Sequence, residues 1–254
     1  MAGQVEGKVA LVTGGSVGIG RATACALARE GARVVVANRN ATGGQETVRR
    51  ITAAGGQACF IQTDVSQASD VEQLVAGTVA QYGRLDCAFH NAGYEGMRQP
   101  IAELPEDDWQ RVLSVSLTGV WLCMKYVIRQ MLTQGSGAIV NMSSVVGHTG
   151  RPGLCPALVA SHHGVLGLTR QAALEYAQAG IRVNAVCPSV TETPRLSRVH
   201  GENPTIRAQM AAHHPLGRIT QPEDVAAAVV WLCSDAASFV TGHSLIIDGG
   251  VLAQ

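Results

Sequence analysis

The strand-like runs of this chain are apolar at consecutive positions, not at alternate ones. Val9-Ala10-Leu11-Val12, Val34-Val35-Val36-Ala37 and Ala138-Ile139-Val140 are examples. A strand with one wet face alternates apolar and polar residues, whereas an unbroken run needs cover on both faces. A parallel sheet between two helical layers provides that cover. Strands are predicted at residues 8–13, 33–37, 58–62, 85–90, 138–142, 181–187 and 244–247. Helical periodicity fills the intervals at 20–30, 45–54, 71–82, within 109–133, and at 160–179 and 222–232. Strand–helix alternation of this kind means βαβ units with right-handed crossovers. The expectation is therefore an α/β fold, a doubly wound seven-stranded parallel sheet with helices on both faces, in one domain over residues 1–254. Residues 191–222 carry no clear period and hold Pro194, Gly201, Pro204 and Pro215. So long a segment in a compact domain predicts a lid over a binding site.

Composition narrows the partners. There are 19 basic and 19 acidic residues, so no net field draws nucleic acid or an anionic membrane. The apolar runs, such as residues 225–233, are too short to span a bilayer, and no stretch of signal-peptide type follows the first residues. A cytoplasmic protein acting on a small molecule is expected, with neither nucleic acid nor membrane as partner. The seven cysteines are spread evenly without a C-x-x-C pair, against both a disulfide framework and a zinc site. Only Cys155 lies in a Gly/Pro-rich loop, where it would be a nucleophile if a base lowered its pKa and an inert thiol otherwise. His162-His163 and His213-His214 are adjacent pairs, so each pair points to different helix faces. No metal site is expected.

The first strand runs straight into Thr13-Gly14-Gly15-Ser16-Val17-Gly18-Ile19-Gly20 and then a helix. Glycines allow a close backbone approach, and the free N–H groups at a helix start suit a pyrophosphate. A glycine cluster alone is a weak signal; its place between the first strand and the first helix makes it a strong one.

With these residues in view, the chain resembles the short-chain dehydrogenase/reductase family along nearly its whole length. TGGSVGIG is similar to that family's TGxxxGIG turn. Asp64-Val65 stands where the family contacts adenine, and Asn91-Ala92-Gly93 resembles its NAG motif. Asn141-Met142-Ser143-Ser144 ends a strand where the family keeps its catalytic serine, here Ser144. Residues 181–188 resemble its IRVNAVxPG segment, and Thr241-Gly242 with Asp248-Gly249-Gly250 its C-terminal TG and DGG. The resemblance implies a Rossmann-type sheet and a dinucleotide held by Gly14, Ser16, Gly18, Ile19, Gly20, Asn38, Arg39, Asp64, Val65, Asn91, Ala92, Gly93, Pro188, Val190 and Thr193. It also implies a homo-oligomer, dimer or tetramer, built through two helices beside the central cleft and the C-terminal strand.

The second strand ends in Ala37-Asn38-Arg39-Asn40. An acidic residue there binds the ribose hydroxyls of NAD and repels a 2′-phosphate, while a nearby arginine accepts the phosphate of NADP. Asn38 removes the repulsion and Arg39 offers a charged, bidentate contact. NADP(H) is favoured over NAD(H), with Arg39 stacked on adenine or turned to solvent as the other reading.

The catalytic positions break the resemblance. The family's Y-x-A-S-K segment aligns with Leu158-Val159-Ala160-Ser161-His162. Counting from Ser144 instead shifts the match by one and places Ala157 and Ser161 at the two sites. Neither register supplies the tyrosine or the lysine. Ser116 replaces the asparagine of the middle helix, and Pro188-Ser189 stands where Pro-Gly is usual. A positioned acid or base is worth about 10²–10⁴ in rate, or roughly 3–5 kcal/mol. Leucine can donate no proton. His162, with an ordinary pKa near 6.5, and Tyr94 after the NAG motif are the candidate substitutes, with His148 as a further one. Tyr94 read as a half-buried packing residue is the plainer alternative. The catalytic candidates are thus Ser144, His162, Ser116 and Tyr94.

The resemblance and the substitutions together point to an atypical NAD(P)-dependent short-chain oxidoreductase with an altered proton path. A C=N or activated C=O or C=C group would suit it, because such groups accept hydride without a strong acid. A non-redox enzyme reusing the cleft, for cyclisation, dehydration, isomerisation or carbon–carbon chemistry, stays open, as does a non-catalytic homologue.

Overall fold

We describe residues 3–201 and 203–254 of a computed structural model. Strand β1 (Val9–Thr13) shows how the apolar runs are used. Ala10 and Val12 point to one face of the sheet and Leu11 to the other, into two separate cores. Strand β2 (Arg33–Asn38) repeats the division, with Val34 and Val36 on one side and Val35 and Ala37 on the other. Both faces are dry, so both phases of the alternation are apolar.

The remaining strands are β3 (Gln57–Gln62), β4 (Cys87–His90), β5 (Gly137–Met142), β6 (Ile181–Pro188) and β7 (Ser244–Ile247). All pair in parallel, in the order β3-β2-β1-β4-β5-β6-β7. The order reverses between β1 and β4. A crevice opens outside the carboxyl ends of the strands at such a switch point.

Helices α1 (Gly18–Arg29), α2 (Ala41–Ala53) and α9 (Pro222–Cys233) cover one face, through Ala24, Leu27, Ile51, Val225 and Val229. Helices α3 (Ala68–Tyr82), α5 (Gly119–Gln134) and α6 (Pro156–Tyr176) cover the other, through Leu74, Val120, Val127, Val165 and Ala172. Helix α4 (Glu106–Leu113) joins α5 through a π-helical turn at Ser114–Thr118. Together they form one 29-residue stretch, Glu106–Gln134, which by length and composition could cross a bilayer. Here its apolar side is core: Leu122, Cys123, Met124, Val127 and Met131 are buried. An expectation drawn from the short apolar runs alone missed this stretch, because its polar residues interrupt a long helix whose mean hydropathy is still high.

The segment 191–222, expected to be a lid, is not irregular. It holds α7 (Pro194–His200) and α8 (Pro204–Ala212), each opening with proline in the first turn, where the missing N–H costs nothing. A parallel bridge between Thr191 and Thr220 ties its two ends together. The periodicity was illegible because two helices of 7 and 9 residues show too few turns.

Candidate active site

The carboxyl ends of β1, β2, β4, β5 and β6, with Thr193, Leu196 and Met210 of the following segment, line a cavity of about 660 Å³. At its floor the glycine turn folds against β4. Asn91 Nδ2 donates to the carbonyls of Thr13 (3.1 Å) and Gly14 (3.2 Å), while Thr13 Oγ1 accepts from the N–H groups of Asn91 and Ala92. A side chain at Gly14, where φ is +67°, would strike Asn91 Nδ2 at 2.6 Å, and one at Gly20 would meet the Gly14 carbonyl oxygen at 2.3 Å. These two glycines are therefore required by packing within the turn as much as by a ligand. Val17, the N-cap of helix α1, offers no side-chain hydrogen bond, so the first N–H groups of the helix are uncapped beside the cavity.

Gly14, Gly18, Ile19, Gly20, Asn38, Arg39, Asp64, Val65, Asn91, Ala92, Gly93, Pro188, Val190 and Thr193 all line the cavity. Ser16 does not. It is buried, and its carbonyl accepts from the Arg21 guanidinium beneath the turn. Sequence order placed it inside the motif, but the local fold turns it away and leaves Val17 on the wall. Asn38 Oδ1 accepts from the Asn40 N–H at 2.8 Å, and the exposed Arg39 guanidinium lies 3.6 Å from Asp64 Oδ2.

Burial separates the two pairs of positions on α6. Leu158 and His162, one turn apart, both line the cavity; Ala157 and Ser161 are fully buried and do not. Ser161 Oγ instead donates to the Leu158 carbonyl at 2.8 Å. The chain has two lysines, Lys8 and Lys125. Lys8 binds Asp235 at the opposite end of the sheet, and Lys125 lies over Trp121 and Tyr126 on α5. Among the described residues, Tyr94 is the one tyrosine on the cavity wall and no lysine reaches it.

His162 departs from the expectation that it titrates near 6.5. Burial, and after it the neighbouring His163, push its pKa down to about 4, so its ring is neutral at physiological pH. Its Nδ1 is buried without a partner, leaving Nε2 as the nitrogen able to meet a ligand. A buried lone pair costs less than a buried orphan N–H, which favours the tautomer with its proton on Nε2.

The other candidates are committed to the protein. Tyr94 lines the cavity, but its hydroxyl donates to Asp108 Oδ1 at 3.3 Å and its ring lies under Arg111. Ser116 Oγ, in the π-helical turn, accepts from the Tyr94 N–H and donates to the Tyr94 carbonyl, both at 2.9 Å. A π-turn at a functional cleft is a familiar device for re-aiming side chains. Ser144 Oγ donates to the Pro188 carbonyl at 3.2 Å and accepts from Val146, tying β5 to β6. Cys155 is buried at the start of α6 against Val112 and Leu158, not an exposed loop thiol. His148 is exposed and stands off the wall. In the lid, Arg195 pairs with Glu95 and Arg207 with Glu192, so these arginines already face carboxylates.

A parallel doubly wound sheet with a glycine turn, NAG staple and roofed cleft defines a dinucleotide-fold oxidoreductase architecture. Residues 14–252 match the family described as enoyl-(acyl carrier protein) reductase. The chain is 43% identical over 250 residues to a 2,5-dichloro-2,5-cyclohexadiene-1,4-diol dehydrogenase from Sphingobium indicum, covering 98% of each chain. It is 44% identical over 246 residues to a cis-4-hydroxycyclohexanecarboxylate dehydrogenase from Sinomonas cyclohexanicum, covering 97% of each. A solved gluconate 5-dehydrogenase from Burkholderia cenocepacia, in complex with NADP and tartrate, superposes with a TM-score of 0.92 at 30% identity, over 99% of this chain and 97% of that one. The chain belongs to the short-chain dehydrogenase/reductase family of NAD(P)-using oxidoreductases.

Proposed function

We propose that the chain is an NADP(H)-dependent oxidoreductase whose proton does not travel through positions 158 and 162. The observation that carries this is the pairing of an apolar Leu158 with a neutral, buried His162 on a cavity wall that otherwise keeps the family's nucleotide-binding residues. The uncapped start of α1 and the wall around Gly14, Gly18, Asp64 and Asn91 fit a dinucleotide, which when bound would supply or accept hydride. Asn38 without a carboxylate and the exposed Arg39 favour the 2′-phosphate of NADP(H). Pro188, Val190 and Thr193 would hold the nicotinamide end, with Ser144 beside them.

His162 is proposed to orient the substrate through Nε2 rather than to give it a proton. Ser116 keeps the Tyr94 loop in place. An activated C=O, C=C or C=N group suits this wall, and the names of the two relatives favour a ring ketone and its alcohol. Leu154, Leu158, Leu196 and Met210 provide an apolar wall for such a ring. Exposed Trp121 on α5, Leu174 on α6, Phe239 and the edge-strand Ile246 support a homo-oligomer, to be read by sedimentation, where a monomer would count against it.

Calorimetry with NADPH and NADH, followed by a panel of ring ketones, enones and imines read at the nicotinamide absorbance, tests the reading. Binding of NADPH tighter than NADH, with turnover on the panel, is expected. No affinity for either dinucleotide would sink it.

A further inference from the structure

We infer that Ser189 and His214 form the proton relay of this cleft, an assignment that rests on the oxidoreductase reading above. Ser189 follows Pro188 at the end of β6, where the family resemblance has glycine, and lines both the main cavity and a smaller one of about 330 Å³ beside it. His214 follows α8 at the base of the lid and is 3% exposed. Its Nε2 lies 2.7 Å from Ser189 Oγ, and its Nδ1 lies 2.8 Å from the Met210 carbonyl oxygen.

The carbonyl can only accept, so Nδ1 carries the proton of the neutral ring. Nε2 is then an acceptor, and Ser189 donates to it. Thr220 Oγ1, 2.9 Å from Ser189 Oγ, completes the chain as donor to the serine. Both ring nitrogens are thus engaged, and the backbone is fixed as well: the His214 N–H donates to the Ala211 carbonyl and its own carbonyl accepts from Gly217. A serine hydroxyl on a cavity wall, bonded to an imidazole whose other nitrogen is fixed, is the arrangement that general-base chemistry needs. Ser144 donates to the carbonyl of Pro188, the residue before Ser189, so the two hydroxyl-bearing residues are neighbours at one end of the cleft.

In the oxidative direction the substrate is a secondary ring alcohol. Its O–H bond breaks as Ser189 Oγ takes that proton, while the serine's own proton passes to His214 Nε2. The electron pair of the carbinol C–H bond would leave as hydride to the oxidised dinucleotide, when bound, as the C=O bond forms. His214 is then an imidazolium with both N–H groups donated, to Met210 and to Ser189. Its extra proton returns through Ser189 to water once the ketone has left. Reduction is the reverse. The relay thus provides what neither Leu158 nor the neutral His162 can.

The test uses the full-length protein and the variants Ser189→Gly, His214→Gln and their double. Ser189→Gly inserts the residue usual at this place and is chosen to keep the fold. Each single variant should lower kcat for a ring alcohol such as cyclohexanol by about 10²-fold, with the Kd for NADPH unchanged. The double variant should fall no further, because the two residues act as a unit. Nitrogen-15 NMR of the wild-type imidazole should show the proton on Nδ1. A Ser189→Gly enzyme keeping kcat within about threefold of wild type, or a ring with its proton on Nε2, overturns the relay. So does a wild-type protein that binds dinucleotide but oxidises no ring alcohol. A protein that binds no dinucleotide overturns the oxidoreductase reading itself, and the relay with it.

Discussion

At the scale of single residues, the proposed site turns on two positions of α6. Leu158 and His162 face the cavity one helical turn apart, and Ala157 and Ser161 do not. The double variant Leu158→Tyr/His162→Lys therefore places a phenol and an ammonium on the wall that already holds Ser144. We expect a gain of about 10²-fold or more in kcat/KM on ring alcohols, checked by steady-state kinetics. The shifted pair Ala157→Tyr/Ser161→Lys should instead unfold the protein, because both positions are sealed in the core. Much of this was legible: the segment resembling the family motif could be read, but which of its residues face the cavity could not. Counting from Ser144 left a second alignment, shifted by one residue, beside the closer match at Leu158 and His162, and burial puts the latter pair on the wall. His162 shows the same limit. Its residue type promised titration near neutrality, whereas its buried environment moves the pKa to about 4.

At the scale of elements, the glycine turn and the lid behave differently. The turn is rigid because β1, α1 and β4 meet there with no room for a Cβ at Gly20. Gly20→Ala should cost about 3 kcal/mol of stability by overpacking against the Gly14 carbonyl. It should also weaken dinucleotide binding by displacing the start of α1. Urea unfolding and calorimetry on the one variant would check both, and wild-type values in both would refute the packing argument. The turn could be read from sequence because its signal is local. The 191–222 segment could not, since its two helices are too short to show a period and its ends are tied by the long-range Thr191–Thr220 bridge. Ser189 and His214 were missed as partners for the same reason: 25 residues separate them, and nothing in either neighbourhood marks the other.

At the scale of the whole molecule, stability should depend on pH through buried imidazoles. His90, 1% exposed at the end of β4, donates from Nδ1 to Asn141 Oδ1 at 2.8 Å, and its Nε2 has no partner. Burial lowers its pKa to about 4, with the Asn141 contact opposing, and His162 shifts the same way. The folded pKa lies below the unfolded one, so between these values the unfolded chain binds more protons. The contribution is complete above about pH 6.5 and is lost as pH falls toward 4, at about 3 kcal/mol for His90. Urea midpoints should therefore drop between about pH 8 and pH 5, and less so in His90→Phe. An equal drop in the variant would remove His90 from the account.

The sequence by itself determined the sheet, its order of strands and helices, and most of the residues that line the cavity around the glycine turn. Those depend on local periodicity, on glycines required by a tight turn, and on short motifs whose members are neighbours in the chain. The tertiary structure alone decided which side chains share the cavity and in what protonation state. It turned Ser16 inward, spent Ser116 on the Tyr94 backbone and the Tyr94 hydroxyl on Asp108, neutralised His162, and brought Ser189 to His214. The physical reason is that burial and long-range contact set a group's pKa and its free hydrogen-bonding capacity, and neither is a property of the residues beside it in the chain.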